Sequence, residues 1–301
     1  MNPTVVLVNP AAGGGRAGRV WERIRPAAEA LAPLRVVTPE SAGASRRAIL
    51  EALTVGCDRV VAVGGDGTAH LVVNTLLDSG TSAAMGVVPA GTGSDLSRAL
   101  GIPRNPISAL RQAFLQPPAP FDAGRCEGPT GRFAFVNIAS AGIGGLVDQA
   151  VNAIPNRGRT AFLRATFTAL RTYRCVPVKV SLDGQPWFDG PLFLLAVANG
   201  TTFGKGMRVA PRALPDDGLF DVVAVGEVAG WELALRLPQV YVGRHLRARQ
   251  VRHAHARTVR LEPLAPLPPF DADGETYPSG PVTFTIAPGA LRIAATAPRR
   301  A

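Results

Sequence analysis

The chain has 301 residues, of which 47% are hydrophobic, which is ample for cores in about two domains. No segment approaches the run of about 18 apolar residues that a membrane-spanning helix requires. The net charge of +10, carried mostly by arginine, suits nucleic acid, an anionic membrane or an anionic small ligand. An aromatic content of 6%, with no zinc-finger spacing or long Lys/Arg block, argues against nucleic acid.

The first region, residues 1–119, alternates strand and helix. Strands are predicted near 4–8, 34–38, 58–63 and 84–88, and helices near 17–31, 42–55, 68–78 and 93–100. The pattern implies an α/β sandwich with a mainly parallel sheet. The strand Thr4–Val8 runs into Asn9-Pro10-Ala11-Ala12-Gly13-Gly14-Gly15. Gly13-x-Gly15-x-x-Gly18 fits a dinucleotide fingerprint, but Asn9-Pro10 separates the glycines from the strand. The acid expected about 20 residues on is poorly met, because the next strand ends in Thr38-Pro39-Glu40.

The third strand, Val60–Val63, runs into Gly64-Gly65-Asp66-Gly67-Thr68 and then a periodic helix. Glycines let the backbone approach a ligand, and a helix N-terminus offers free N–H groups to phosphate. Asp66 would repel phosphate unless a cation or donor intervenes, so the turn reads as a phosphate site that also manages Mg²⁺ or a hydroxyl. The fourth strand leads to a second such turn, Ala90-Gly91-Thr92-Gly93-Ser94-Asp95. Consecutive parallel strands put both turns on the carboxyl edge of the sheet, where open α/β sheets bind ligands, and Thr68 and Thr92 bring hydroxyls there.

Gln116-Pro117-Pro118-Ala119-Pro120 breaks the pattern. Residues 120–301 then read as a mostly antiparallel β domain, whose last strand has the option of returning to the first domain. Strands are predicted near 132–139, 176–183, 191–199, 219–225, 251–255, 257–262, 281–286 and 290–295, and helices near 143–153, 160–173 and 229–237. Asp183-Gly184 and Asp217-Gly218 mark turns. The stretch 160–173 carries Phe162, Leu163, Phe167 and Leu170 on one face, ringed by Arg157, Arg159, Arg164, Arg171 and Arg174. It suits core packing, a bilayer surface or the wall of an acyl channel. Arg244, Arg247, Arg249, Arg252 and Arg257 form a second basic cluster. His253-x-His255 suits one strand face but finds no further ligand in the sequence. Cys57, Cys126 and Cys175 are widely spaced and show no metal pattern, as expected of a reducing cytosol.

Asn9-Pro10, Gly64–Thr68, Pro89–Asp95, Phe135–Gly144, Ala198-Asn199-Gly200, Ala210-Pro211-Arg212-Ala213, Asp216–Val222 and Asp273-Gly274-Glu275 resemble, in order, the motifs of the diacylglycerol kinase catalytic-domain family. That family includes bacterial soluble lipid kinases and the sphingosine and ceramide kinases. The resemblance implies two domains, an α/β nucleotide-binding domain and a mostly antiparallel β domain. It also implies transfer of the ATP γ-phosphate to a lipid hydroxyl, most simply that of diacylglycerol. An NAD kinase, or a silent nucleotide- or membrane-binding regulator, is the alternative.

By the same resemblance, ATP meets Asn9, Thr38, Gly64, Gly65, Asp66, Gly67, Thr68, Gly91 and Thr92. Glu275 accepts the hydroxyl proton with Asp273 orienting it or meeting metal, or the two acids exchange roles. A structural Mg²⁺ takes the side chain of Asp217 and the carbonyls of Leu214 and Leu219. The protein is then expected to be cytoplasmic and peripheral at a membrane, where its lipid substrate lies, with no nucleic-acid partner and with a homodimer left open.

Overall fold

The computed structural model describes residues 3–91, 95–129, 131–152, 166, 168–204, 206–228 and 230–295. The chain folds as two compact units, one of residues 1–123 and 288–301, the other of residues 124–287.

In the first unit, β1 (Thr4–Val8), β2 (Leu34–Val37), β3 (Arg59–Gly64) and β4 (Ala84–Pro89) form a parallel sheet in the order β2-β1-β3-β4. The end of β15 (Val282–Ile293) adds to β4 in parallel through Arg292↔Ala84 and Ile293↔Met85. Continuous apolar runs such as Val60–Val63 are what a parallel sheet covered on both faces demands, and all four residues are buried. Helices α1 (Ala12–Glu29), α2 (Ala42–Thr54), α3 (Asp66–Ser79), α4 (Asp95–Ala99) and α5 (Pro106–Leu115) connect the strands or follow them. Helix α1 buries Val20, Trp21 and Ile24, and Ser41 caps α2 by accepting the Ala44 N–H at 3.2 Å. Helix α5 was not among the expected elements. Its start is nevertheless well specified: Asn105 Oδ1 accepts the N–H groups of Ile107 and Ser108, and Pro106 occupies the first turn.

The second unit is mostly antiparallel, as the sequence implies. The strands are β5 (Ala119–Gly128, whose start lies in the first unit), β6 (Gly131–Phe135), β7 (Ile138–Gly142), β8 (Val176–Leu182), β9 (Gln185–Ala198), β10 (Phe220–Gly226), β11 (Val251–Ala256), β12 (Thr258–Pro263), β13 (Phe270–Ala272), β14 (Glu275–Tyr277) and the start of β15. The path runs β14-β13-β7-β9-β8-β12-β15, with β10 on β9, β11 on β10 and β6 on β5. Helix α6 (Ile143–Asn152) follows β7, and α7 (Gly230–Tyr241) lies between β10 and β11. Phe135, Phe220, Phe270 and Phe284 anchor one buried cluster, and Ile138, Ala196, Val209 and Val223 belong to another. The expected strands near 281–286 and 290–295 are one continuous strand, β15, which passes through Gly289 at φ +58.

Candidate functional site

At the carboxyl edge of the parallel sheet, Thr38 follows β2, Asn9 follows β1, Gly64 ends β3 and Ala90-Gly91 follow β4. Asn9 N–H donates to the Val63 carbonyl at 3.1 Å, and the Ala90 and Gly91 N–H groups donate to the Gly64 carbonyl at 2.7 and 3.1 Å. Three loops therefore converge on one rim. Their glycines are required by contact. A Cβ on Gly91 would lie 2.4 Å from the Cα of Gly65, one on Gly64 2.4 Å from Thr68 Oγ1, and one on Gly13 2.6 Å from the Ala90 carbonyl oxygen. Gly13, Gly14 and Gly15 all take positive φ, so the glycine run forms a wound loop before the regular part of α1. The contact of Gly13 with the Ala90-Gly91 loop and the positive φ of all three residues account for the run without a dinucleotide fingerprint.

Gly65 caps α3, and Asp66 and Gly67 open it with the positive end of the helix dipole. Thr68 is buried, and its Oγ1 accepts from Asn9 Nδ2 at 3.3 Å. Of the residues expected to meet nucleotide, Asn9, Thr38, Gly64, Gly65, Asp66, Gly67, Thr68 and Gly91 lie along this edge. Thr92 lies outside the described residues.

In the second unit, β13 and β14 form a hairpin whose two-residue turn is Asp273-Gly274, at φ +53 and +88, which is the type I′ geometry that Asp-Gly favours. The Asp273 carboxylate folds back into the unit. Oδ2 accepts the Val136 N–H at 2.8 Å, while Oδ1 accepts those of Asn137 and Ile138 at 3.0 and 3.2 Å. Asp271 Oδ1 accepts the Gly274 N–H at 2.8 Å. Glu275 is exposed at the start of β14. The two acids are thus unalike: Asp273 clamps the link between β6 and β7, and Glu275 keeps its carboxylate at the surface. Burial, with Glu275 adding a smaller effect, pushes the Tyr277 hydroxyl well above its ordinary pKa, and its ring stacks on Phe133.

Sequence reasoning assigned no role to Asn137 and Asn199, which complete this polar knot. Asn199 Nδ2 donates to the Val136 carbonyl at 2.8 Å, and Asn137 Nδ2 to the Thr202 carbonyl at 2.9 Å. Both lie in motifs named above, and an Asn in an otherwise apolar strand end is the available signal.

The turn before β10 holds Leu214, Asp217 and Leu219. Asp217 Oδ1 accepts the Leu219 N–H at 3.1 Å, and Gly218 takes φ +74. The donor set expected there, one carboxylate and two carbonyls, is all oxygen, which fits a hard cation.

The second unit also contains a partly open apolar pocket of about 140 Å³. Ile143, Val147, Leu170, Phe193, Val225 and Leu237 contribute to its wall, with Thr166, His245 and Gln250 as polar members. His245 Nε2 meets the Val209 carbonyl at 3.0 Å, and burial lowers the pKa of the ring. Leu170 brings part of the expected amphipathic stretch to this wall. Phe162, Leu163, Phe167, Arg157, Arg159 and Arg164 lie outside the described residues.

Residues 3–126 match the diacylglycerol kinase catalytic domain, and residues 137–295 match the YegS C-terminal NAD kinase beta sandwich-like domain. The chain belongs to this family of ATP-dependent lipid kinases. It is 31% identical over 281 residues to a protein described as "Probable lipid kinase YegS-like" from Pseudomonas fluorescens, covering 90% of each chain. It is 29% identical over 252 residues to a diacylglycerol kinase of Mycobacterium tuberculosis, covering 83% of this chain and 80% of that one. In fold it is similar to the crystal structure of a diacylglycerol kinase from Bacillus anthracis, with a TM-score of 0.75 at 22% identity over 98% of this chain and 97% of the other.

Proposed function

We propose that the chain transfers the γ-phosphoryl group of ATP to the free hydroxyl of diacylglycerol, giving phosphatidate and ADP. The apolar cavity carries the acceptor side of this reading. A pocket of this size, walled mostly by aliphatic and aromatic side chains, suits hydrocarbon, and each buried CH₂ contributes about 0.8 kcal/mol. In the other unit, the glycine loops bring backbone N–H groups and the α3 dipole to one edge, which suits a triphosphate. Glu275 accepts the hydroxyl proton as the new O–P bond forms and the bond to ADP breaks. Asp273 is a positioning residue, since its oxygens hold residues 136–138 beside the hairpin. Mg²⁺ would neutralise phosphate charge during transfer. At the turn before β10, Asp217 and the carbonyls of Leu214 and Leu219 are the residues to hold a second, structural Mg²⁺.

The exposed Tyr241 and Val242, next to the exposed Arg244, Arg247 and Arg249, suit docking on an anionic leaflet by a cytoplasmic, peripheral enzyme. Purified protein given labelled ATP with diacylglycerol, monoacylglycerol, ceramide, sphingosine or NAD tests the reading. Diacylglycerol is the expected acceptor, and Glu275→Gln should lower kcat by a factor of about 10² to 10⁴. Labelling of NAD alone, or undiminished turnover in Glu275→Gln, overturns it.

A further inference from the structure

Strands β10 and β11 pair antiparallel with Asp221 opposite His255 and Val223 opposite His253. Directly opposed residues, and those two positions apart on a strand, share one face of a sheet. That register brings one carboxylate and two imidazoles together, a partner for His253-x-His255 that the sequence alone did not reveal. His253 Nε2 lies 2.7 Å from Asp221 Oδ1, and His255 Nε2 lies 3.4 Å from Asp221 Oδ2. The two rings meet edge to face, 5.1 Å apart. One ligand atom from each residue falls within 4.8 Å of the others.

The surroundings are graded. The Asp221 side chain is 3% exposed, that of His253 16% and that of His255 48%. On the other flank of β10, Ala198 and Ala196 pair with Asp221 and Val223 and offer neither charge nor bulk. The inner end of the cluster is therefore fixed by packing, while its outer end reaches solvent along β11, which pairs with β10 alone among the described strands.

We propose that Asp221, His253 and His255 bind one divalent transition-metal ion of the Zn²⁺ class, through a carboxylate oxygen and the two Nε2 atoms, with water in the remaining position. Three converging N and O ligands with one open side form the usual protein half of such a site, and imidazole selects against Mg²⁺. Binding requires both Nε2 atoms to be unprotonated, it replaces the contact between His253 and Asp221, and it ties β11 to β10. The site is separate from the oxygen-only turn at Leu214–Leu219 and does not depend on the kinase reading.

Calorimetric titration of the untagged full chain with Zn²⁺, in excess Mg²⁺, tests the proposal, together with the visible absorption of the Co²⁺ form. Only four histidines are present, so background imidazole binding is small. One equivalent of Zn²⁺ per chain is expected, with a tetrahedral Co²⁺ spectrum. Loss of an outer-shell partner already weakens metal binding by about 10- to 100-fold, so removing a ligand in His255→Ala should cost at least that much and abolish the Co²⁺ bands. His255 is half-exposed, so this variant keeps the fold even if His253→Ala, which leaves the buried carboxylate short of a partner, does not. Absence of Zn²⁺ binding in the natural chain overturns the proposal. So does unchanged affinity in a folded His255→Ala protein.

Discussion

Replacing Asp273 by Asn separates a structural acid from a catalytic one. The carboxylate meets three N–H donors, one on Oδ2 and two on Oδ1. The amide of Asn keeps its oxygen on Asn137 and Ile138 and turns its NH₂ against the Val136 N–H, so one buried donor faces another donor. Leaving a buried donor unsatisfied costs about 1–3 kcal/mol, so a loss of about 2 kcal/mol is expected. For a unit of 150–250 residues this lowers Tm by about 4–8 °C. Asp273→Ala orphans all three donors and should be worse. Glu275→Gln, at an exposed position, should shift stability by no more than about 0.5 kcal/mol while removing most turnover. Urea unfolding followed by tryptophan fluorescence, alongside lipid phosphorylation, reads both quantities. An Asp273→Asn protein as stable as the natural one would refute the assignment of Asp273 as a clamp.

Gly91→Ala forces the two glycine loops apart and should weaken ATP binding at least tenfold by calorimetry. Gly80→Ala, at φ +65 with open space around it, should cost about 1 kcal/mol of stability and leave ATP affinity unchanged. His245 is buried with its pKa lowered, so the unfolded chain binds more protons than the folded one just below the ordinary histidine pKa of about 6.5. Stability should therefore be retained above that pH and fall below it, and His245→Gln should flatten the dependence measured by denaturant midpoints at pH 7.5 and 5.5. An equal slope in the variant would contradict this. Burial raises the pKa of Cys57, Cys126 and Cys175, most strongly that of Cys126. Iodoacetamide at neutral pH should accordingly label the native protein far more slowly than the unfolded one, with half-buried Cys175 reacting first by mass spectrometry.

The parallel half of the fold was legible because three of its strands, β1, β3 and β4, are mostly apolar runs, of which β3 ends directly in a glycine turn, and because helix starts such as Ser41 carry capping chemistry. The Asn105-Pro106 signal that starts α5 has the same character. In β15, Pro288-Gly289 reads as a turn, yet Gly289 N–H donates to Asp122 Oδ1 at 2.8 Å and the strand continues. A distant acceptor decided what a local rule would have split. The acids at 273 and 275 sit two positions apart with one sequence signature, and only the N–H groups of residues 136–138, distant in sequence, draw the Asp273 carboxylate inward. Asp221 joins His253 and His255 through cross-strand register, which spacing along the chain does not encode.

Strand β15 has a consequence for anyone who cuts this protein. Its last residues cover β4 through Arg292 and Ile293, and Ala294 N–H donates to the Met85 carbonyl at 2.7 Å. A fragment that stops near residue 123 would retain every glycine loop but leave the β4 flank bare. Uncovered strand flanks invite other chains, so such a fragment should clump on expression, whereas joining residues 288–295 to it by a short linker should keep it dispersed.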